Sequence, residues 1–356
     1  MSDGSTVRAV SQAWARASSA PSSASVELTV EMDGGRGMDI RFASSRQRPA
    51  DLERTAAAAL RETAERLPEA LRGGLAVEAG EVLSRLRRAG GEARLFSREY
   101  RMASCRGVVL GIREAGGSGD FGSPWTGILP VSELDSSLPV LLAPSAVLAL
   151  VSYALEVTGS HLATGSDAEI QGITVLDTAS SPYPPQHHPF QGDGTPSPDR
   201  PLIEEGRWAN RQEHAGDHVD PLFYLLTRPD RALRPLAAAT HFNRRNLSVR
   251  CGRTVPAPSP AVLVDSWRVR VGPRSGRVLF HAELSRTGPD GERLAVPQAV
   301  ALSVDPWWLL ERIEGASAPP SPAVDEDPIE GNGYGYAPTL VTGLTLADLA
   351  ATEATR

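Results

Sequence analysis

Apolar and polar residues alternate with a period of two from Ser25 to Glu31 and again from Met38 to Phe42, with Asp33-Gly34-Gly35 between the runs, which predicts a β-hairpin. The period then lengthens. From Ala50 to Arg66, alanine, leucine, glutamate and arginine recur at helical spacing, and Pro68 and Gly73-Gly74 close a long amphipathic helix. A second helix is expected over residues 78–89, stopped by Gly90-Gly91, with strands over 92–100 and 104–113. Residues 1–25 are rich in serine and alanine with little periodicity, and read as a flexible arm or a fraying first helix.

The glycine-rich stretch 116–127 has neither the lysine nor the following helical pattern that a phosphate loop needs, so it reads as a linker. Val140-Leu141-Leu142-Ala143 then forms a buried strand, Pro144 suits the first turn of a helix, and residues 145–157 continue as an apolar helix. Strands are expected over 173–176, 202–204, 207–210, 262–271, 277–284 and 294–304, with Glu205-Gly206 turning one hairpin. A short helix over 306–313 has Asp305 as N-cap and Pro306 in its favoured first position. The fold class is α+β. A flexible arm (1–25) leads into an α/β sandwich-like N-terminal domain (26–114), and a Gly-rich linker (115–138) joins it to a strand-rich C-terminal domain with a buried helix (139–350).

Length and composition permit this division, since 356 residues at 41% hydrophobic content can fill two cores. The longest apolar run, residues 138–150, is interrupted by Pro139, Pro144 and Ser145 and falls short of the roughly 20 residues of a membrane span. With no cationic flank and apolar stretch at the start, no secretory signal is read and a cytoplasmic location is expected. Cys105 and Cys251 stand far apart, which suggests neither a disulfide framework nor a cysteine-based zinc knuckle. A formal charge of −7 without a basic stripe argues against nucleic acid as a partner.

Candidate chemistry rests on scattered residues. His214 and His218 are four apart beside Glu213, Asp217 and Asp220, a spacing that would aim two imidazoles and a carboxylate at one metal on a helix. Gly216 and Pro221 disfavour that helix, so a polar loop is the default. His187-His188 lies in the proline-rich segment 183–190, and His161 and His241 stand alone. Ser152 and Glu156 are a turn apart on the apolar helix, but no histidine there could act as base, so a serine nucleophile is not set up. Asp193 and Asn243 read as turn residues, and Trp307-Trp308 as packing or an interface anchor.

Read in order, several segments resemble the TldD/TldE (PmbA) peptidase family. Pro139-Val140-Leu141-Leu142-Ala143-Pro144-Ser145 is similar to the family's "vvlapea" approach to its metal-binding helix. Phe190-Gln191-Gly192-Asp193-Gly194-Thr195 followed by Pro201-Leu202-Ile203-Glu204-Glu205-Gly206 resembles its "fDgEG" and "tvlIEnGvL" segments. Ala239-Thr240-His241-Phe242-Asn243-Arg244-Arg245 stands where the family has "sTGNArR". Gly331-Asn332-Gly333-Tyr334-Gly335-Tyr336-Ala337-Pro338-Thr339-Leu340 leads to Gly343-Leu344-Thr345-Leu346, as in its closing "G.g.sPtl.v.gLtv".

The departures from the family decide what the resemblance implies. Active members carry His-Glu-x-x-x-His on the helix and a third ligand, a cysteine, near the C-terminus. Here Val151, Ser152, Tyr153 and Glu156 occupy the helix region, and no cysteine follows Cys251. The resemblance therefore implies no catalytic centre and no metal in this chain. It implies instead a TldE-like subunit that forms a heterodimer with a TldD-like metalloprotease, the partner carrying zinc. The two would line a chamber for extended peptide, with His187, His188, Phe190, Asp193, His241 and Asn243 as peptide-binding residues. The abbreviated N-terminal domain and linker point to a dedicated pathway, such as maturation of a leader-bearing peptide natural product. Two other readings stay open, a self-sufficient enzyme using the scattered histidines and a stand-alone peptide-binding module.

Overall fold

The computed structural model describes residues 7–18, 24–33, 39–45, 50–88, 91–114, 121–161, 172–182, 199–208, 246–271, 278–327 and 331–351. Two sheets organise them. The first has six antiparallel strands in the order β3-β2-β1-β4-β5-β6, formed by β1 (Val7–Ser18), β2 (Ala24–Asp33), β3 (Asp39–Ser45), β4 (Leu75–Arg88), β5 (Gly91–Cys105) and β6 (Val108–Glu114). Helix α1 (Ala50–Arg66) packs against it. Ala56, Ala59 and Thr63 recur every three or four residues along its buried stripe, and the Thr63 hydroxyl donates back to the Ala59 carbonyl at 2.6 Å.

Two expectations fail in this half. Residues 7–18, read as an arm or fraying helix, form β1, an interior strand paired with β2 on one side and β4 on the other. Its alanines and serines give little hydrophobic contrast, yet small residues suit a strand enclosed by neighbours, and Ala15 is buried. Residues 78–89, read as a helix, instead fall largely in β4, which lies between β1 and β5. Cross-strand fit overrides local propensity there. A Cβ on Gly80 would come within 2.6 Å of the Tyr100 hydroxyl, and that hydroxyl donates to Glu78 Oε1 at 2.7 Å, which satisfies a buried carboxylate.

The second sheet has 11 strands. Their order is β11-β10-β9-β12-β17-β8-β13-β14-β15-β7, with β16 on β17. The strands are β7 (Gly127–Ile128), β8 (Pro139–Leu142), β9 (Ile173–Asp177), β10 (Arg200–Glu204), β11 (Arg207–Trp208), β12 (Leu247–Cys251), β13 (Ala261–Val271), β14 (Val278–Thr287), β15 (Arg293–Val304), β16 (Ile313–Asp327) and β17 (Gly331–Thr345). The hairpin read at Glu205-Gly206 is present, both residues having positive φ as a type I′ turn requires. The short helix α3 (Pro306–Leu310) is capped as expected, Asp305 Oδ1 accepting from the Trp307 and Trp308 amides at 2.9 and 3.1 Å. Helix α4 (Leu346–Ala351) follows β17 directly.

Helix α2 (Pro144–His161) packs against β13, β16 and β17. Ala146 to Val151 are all buried, together with Ala154, the signature of a helix enclosed on every side. Close approach elsewhere is set by Gly335 on β17, where a Cβ would stand 2.0 Å from the Leu247 carbonyl oxygen of β12. Pro319, Pro320 and Pro322 are accommodated because β16 lies off the main strand order, pairing along β17 and touching Arg253–Val255 through Ala316.

Candidate functional site

The strand Val262-Leu263-Val264-Asp265-Ser266-Trp267 places one carboxylate inside an apolar run, and Asp265 is only 2% exposed. Such a group must be paired. Its Oδ1 accepts from Arg293 Nη2 at 2.6 Å and from the Ser285 hydroxyl at 2.7 Å, and its Oδ2 from Trp125 Nε1 at 3.1 Å. Arg293 also donates through Nε to Ser285 at 3.1 Å and lies over the Trp125 ring, 5.6 Å from its centroid.

Trp125 comes from the stretch read as a linker. The described part of that stretch is packed, with Phe121 and Trp125 buried against Leu71, Leu75, Cys105 and Ala295, and β7 pairing with β15. A second tie lies beside it, at the β5–β6 turn. Arg106 and Gly107 both have positive φ, and the Arg106 carbonyl accepts from the Ser266 hydroxyl at 2.7 Å. The Arg106 guanidinium pairs with Glu283 and donates through Nη1 to the Val296 carbonyl at 2.9 Å. Burial lowers the pKa of Arg106 from its ordinary value, since desolvation penalises the charged form.

Beside Asp265 and Arg293 lies a cavity of about 350 Å³. It is lined from five directions, by β6, by the loop 122–124, by the first turn of α2 at Pro144 and Ser145, by Asp265 and Arg293, and by Ser321, Pro322 and Thr339 of the β16–β17 hairpin. The volume lies within the range of small-ligand pockets.

The helix region read as the counterpart of the family's ligand site lies farther along α2. Val151 is 1% exposed, and Ser152 and Tyr153 are half-buried. The Tyr153 ring meets Phe280 edge-on at 6.2 Å, Phe280 stacks on Trp267 at 4.7 Å, and Trp267 Nε1 donates to the Ala146 carbonyl at 2.7 Å. This is packing that clamps the helix. Val151, Ser152 and Tyr153 supply no imidazole, thiolate or carboxylate, so those three side chains do not fit a zinc site. The Glu156 side chain lies outside the described residues, as do His187, His188, Phe190, Asp193, His214, His218, His241 and Asn243 and the side chain of His161. Among the described residues no group of three or more histidine, cysteine, aspartate or glutamate side chains is placed to hold a metal ion, and no helix is long and apolar enough to cross a membrane.

Sequence reading missed the Asp265–Arg293–Trp125 cluster and Arg106. A signal existed for the first, since a charge within a buried strand asks for a partner, but nothing local names which arginine answers it.

No family profile matches the chain, and no curated protein matches it in sequence. Solved structures do match. Two candidate DNA gyrase modulators, from Thermotoga maritima and Bacteroides thetaiotaomicron, are each 12% identical, with TM-scores of 0.47 and 0.48. The alignments cover 95% of this chain and 94% and 92% of theirs. TldE from Thermococcus kodakarensis is 12% identical with a TM-score of 0.51, and the alignment covers 95% of both chains. The two-sheet α+β architecture with its buried helix therefore has the fold of TldE, over nearly the whole length of each chain.

Proposed function

We propose that this chain is the metal-free subunit of a two-subunit zinc peptidase, paired with a TldD-like protease that carries the metal, and that it helps hold extended peptide for trimming. The observation that carries the reading is the TldE fold combined with helix α2, whose turn from Val151 to Tyr153 is given over to packing. A chamber that takes extended peptide needs strand edges, because main-chain pairing is how a sheet binds such a segment with little dependence on sequence. The strand pairings supply one. Among the described residues β7 covers only Leu294 and Ala295 on the outer side of β15, and Gln298, Ala299 and Ala301 farther along β15 are exposed.

We take the substrate to be a dedicated one, a leader-bearing peptide in natural-product maturation, rather than general unfolded protein. Co-expression with a TldD-like protease should give a stable heterodimer that cleaves peptide, with zinc confined to the partner. Stoichiometric zinc and peptide cleavage by this chain alone would overturn the reading.

A further inference from the structure

Among the described residues lining the seam cavity only Asp265 and Arg293 are ionisable, and they are not equivalent. Both Asp265 oxygens are engaged, by Ser285, Arg293 and Trp125. Arg293 is engaged through Nε and Nη2, and among the described residues its Nη1 has no hydrogen-bond partner. The bonds to the other two nitrogens and the contact with Trp125 hold the planar guanidinium still, so its spare N–H groups are fixed in advance of any ligand.

A second donor stands in the same lining. Ser145 is 4% exposed and its Oγ accepts from the Val324 amide at 3.2 Å, which leaves the hydroxyl proton free to be donated. It sits in the first turn of α2, where the helix dipole also favours an anion. Val108, Leu110 and Leu263 provide apolar wall.

We propose that this cavity is a carboxylate site that takes the free C-terminus of an extended peptide, with Arg293 Nη1 and Ser145 donating to the carboxylate and Val108, Leu110 and Leu263 receiving an apolar last side chain. The inference rests on the reading of the chain as a peptide-binding subunit. The chemistry recognised is the carboxylate itself, which a small organic acid could also supply, so the test separates the two sources.

Calorimetric titration of the full chain with Ala-Ala-Ala-Leu as the free acid, the same peptide as its C-terminal amide, and 4-methylpentanoate makes that separation. The free acid should bind saturably and the amide roughly tenfold more weakly, the worth of a charge-assisted hydrogen bond. Arg293→Lys keeps a positive charge beside Asp265 but lacks the second guanidinium nitrogen, and should weaken the acid by roughly tenfold. Gly122→Leu adds apolar bulk at an exposed lining position where a Cβ meets nothing within 4 Å, and should weaken the free acid and 4-methylpentanoate with the melting temperature unchanged.

Equal binding of acid and amide overturns the carboxylate site and leaves the peptide reading standing. Binding of 4-methylpentanoate that Arg293→Lys weakens, with neither peptide bound, upholds the site and counts against the peptide reading. Failure of every acid to bind, or affinities unmoved by both variants, overturns the site.

Discussion

The surroundings of α2 and the seam where Arg106 and Trp125 meet the large sheet both exclude most water, yet the first is almost wholly apolar and the second sets two ion pairs beside an apolar cluster. The difference separates stability from placement. Each fully buried leucine or valine around α2 contributes about 1.5–3 kcal/mol, and such packing tolerates small shifts because it has no direction. An ion pair such as Asp265–Arg293 adds little net stability against a well-packed apolar alternative, but it is costly to break and tightly directional. The seam fixes where the six-stranded sheet sits, and with it the cavity.

The sharpest way to break the apolar side is Trp267→Ala, which removes the stack on Phe280 and the bond to Ala146. It should cost about 4 kcal/mol in chemical denaturation. On the polar side Asp265→Ala strands Arg293 at a fifth of its side-chain exposure and should cost about 3 kcal/mol. The comparison is sharpened by the double change Asp265→Leu with Arg293→Leu. It should recover most of that loss while abolishing carboxylate binding, so a stability that stays low would deny that the pair serves placement.

Asp305→Ala removes the N-cap of α3, which packs at the edge of the apolar region around α2, and should lower stability by about 1 kcal/mol. The smallest effect is expected at the start of α4, where the amide and hydroxyl of Thr345 both donate to Asp348 at 2.7 Å and hold its carboxyl below the ordinary aspartate range. A depressed folded-state pKa contributes stability that is present above the unfolded value and lost as pH falls through the folded one. The protection factor of the Thr345 amide against exchange should therefore fall on acidification, and in Asp348→Asn that acid dependence should vanish.

Elements whose own residues carry the signal were legible in the sequence. Helix α2 announces itself by an unbroken apolar run after a proline, and the Glu205-Gly206 hairpin and the Asp305 cap are written in two or three adjacent residues. The order of segments also pointed to the architecture that TldE shares. Strands β1 and β4 were not legible, because alanine, serine and glutamate become strand residues only when partners on both sides fix them. Arg293 and Ser145 belong to the same class. Nothing near either shows that folding brings them to one cavity, since the contact is made by segments far apart in the chain.

Arg106 carries a consequence in time. Its hydrogen bond to Val296 spans 190 positions, so the β5–β6 turn is synthesised long before the strands that receive it. A contact of such sequence separation bears the full entropy of loop closure before it gains anything, and it forms late. The first sheet must wait for β14 and β15 before Arg106 meets Glu283 and Val296, which makes this joint a late one to close and ties the placement of the β5–β6 turn to strands made near the end of synthesis.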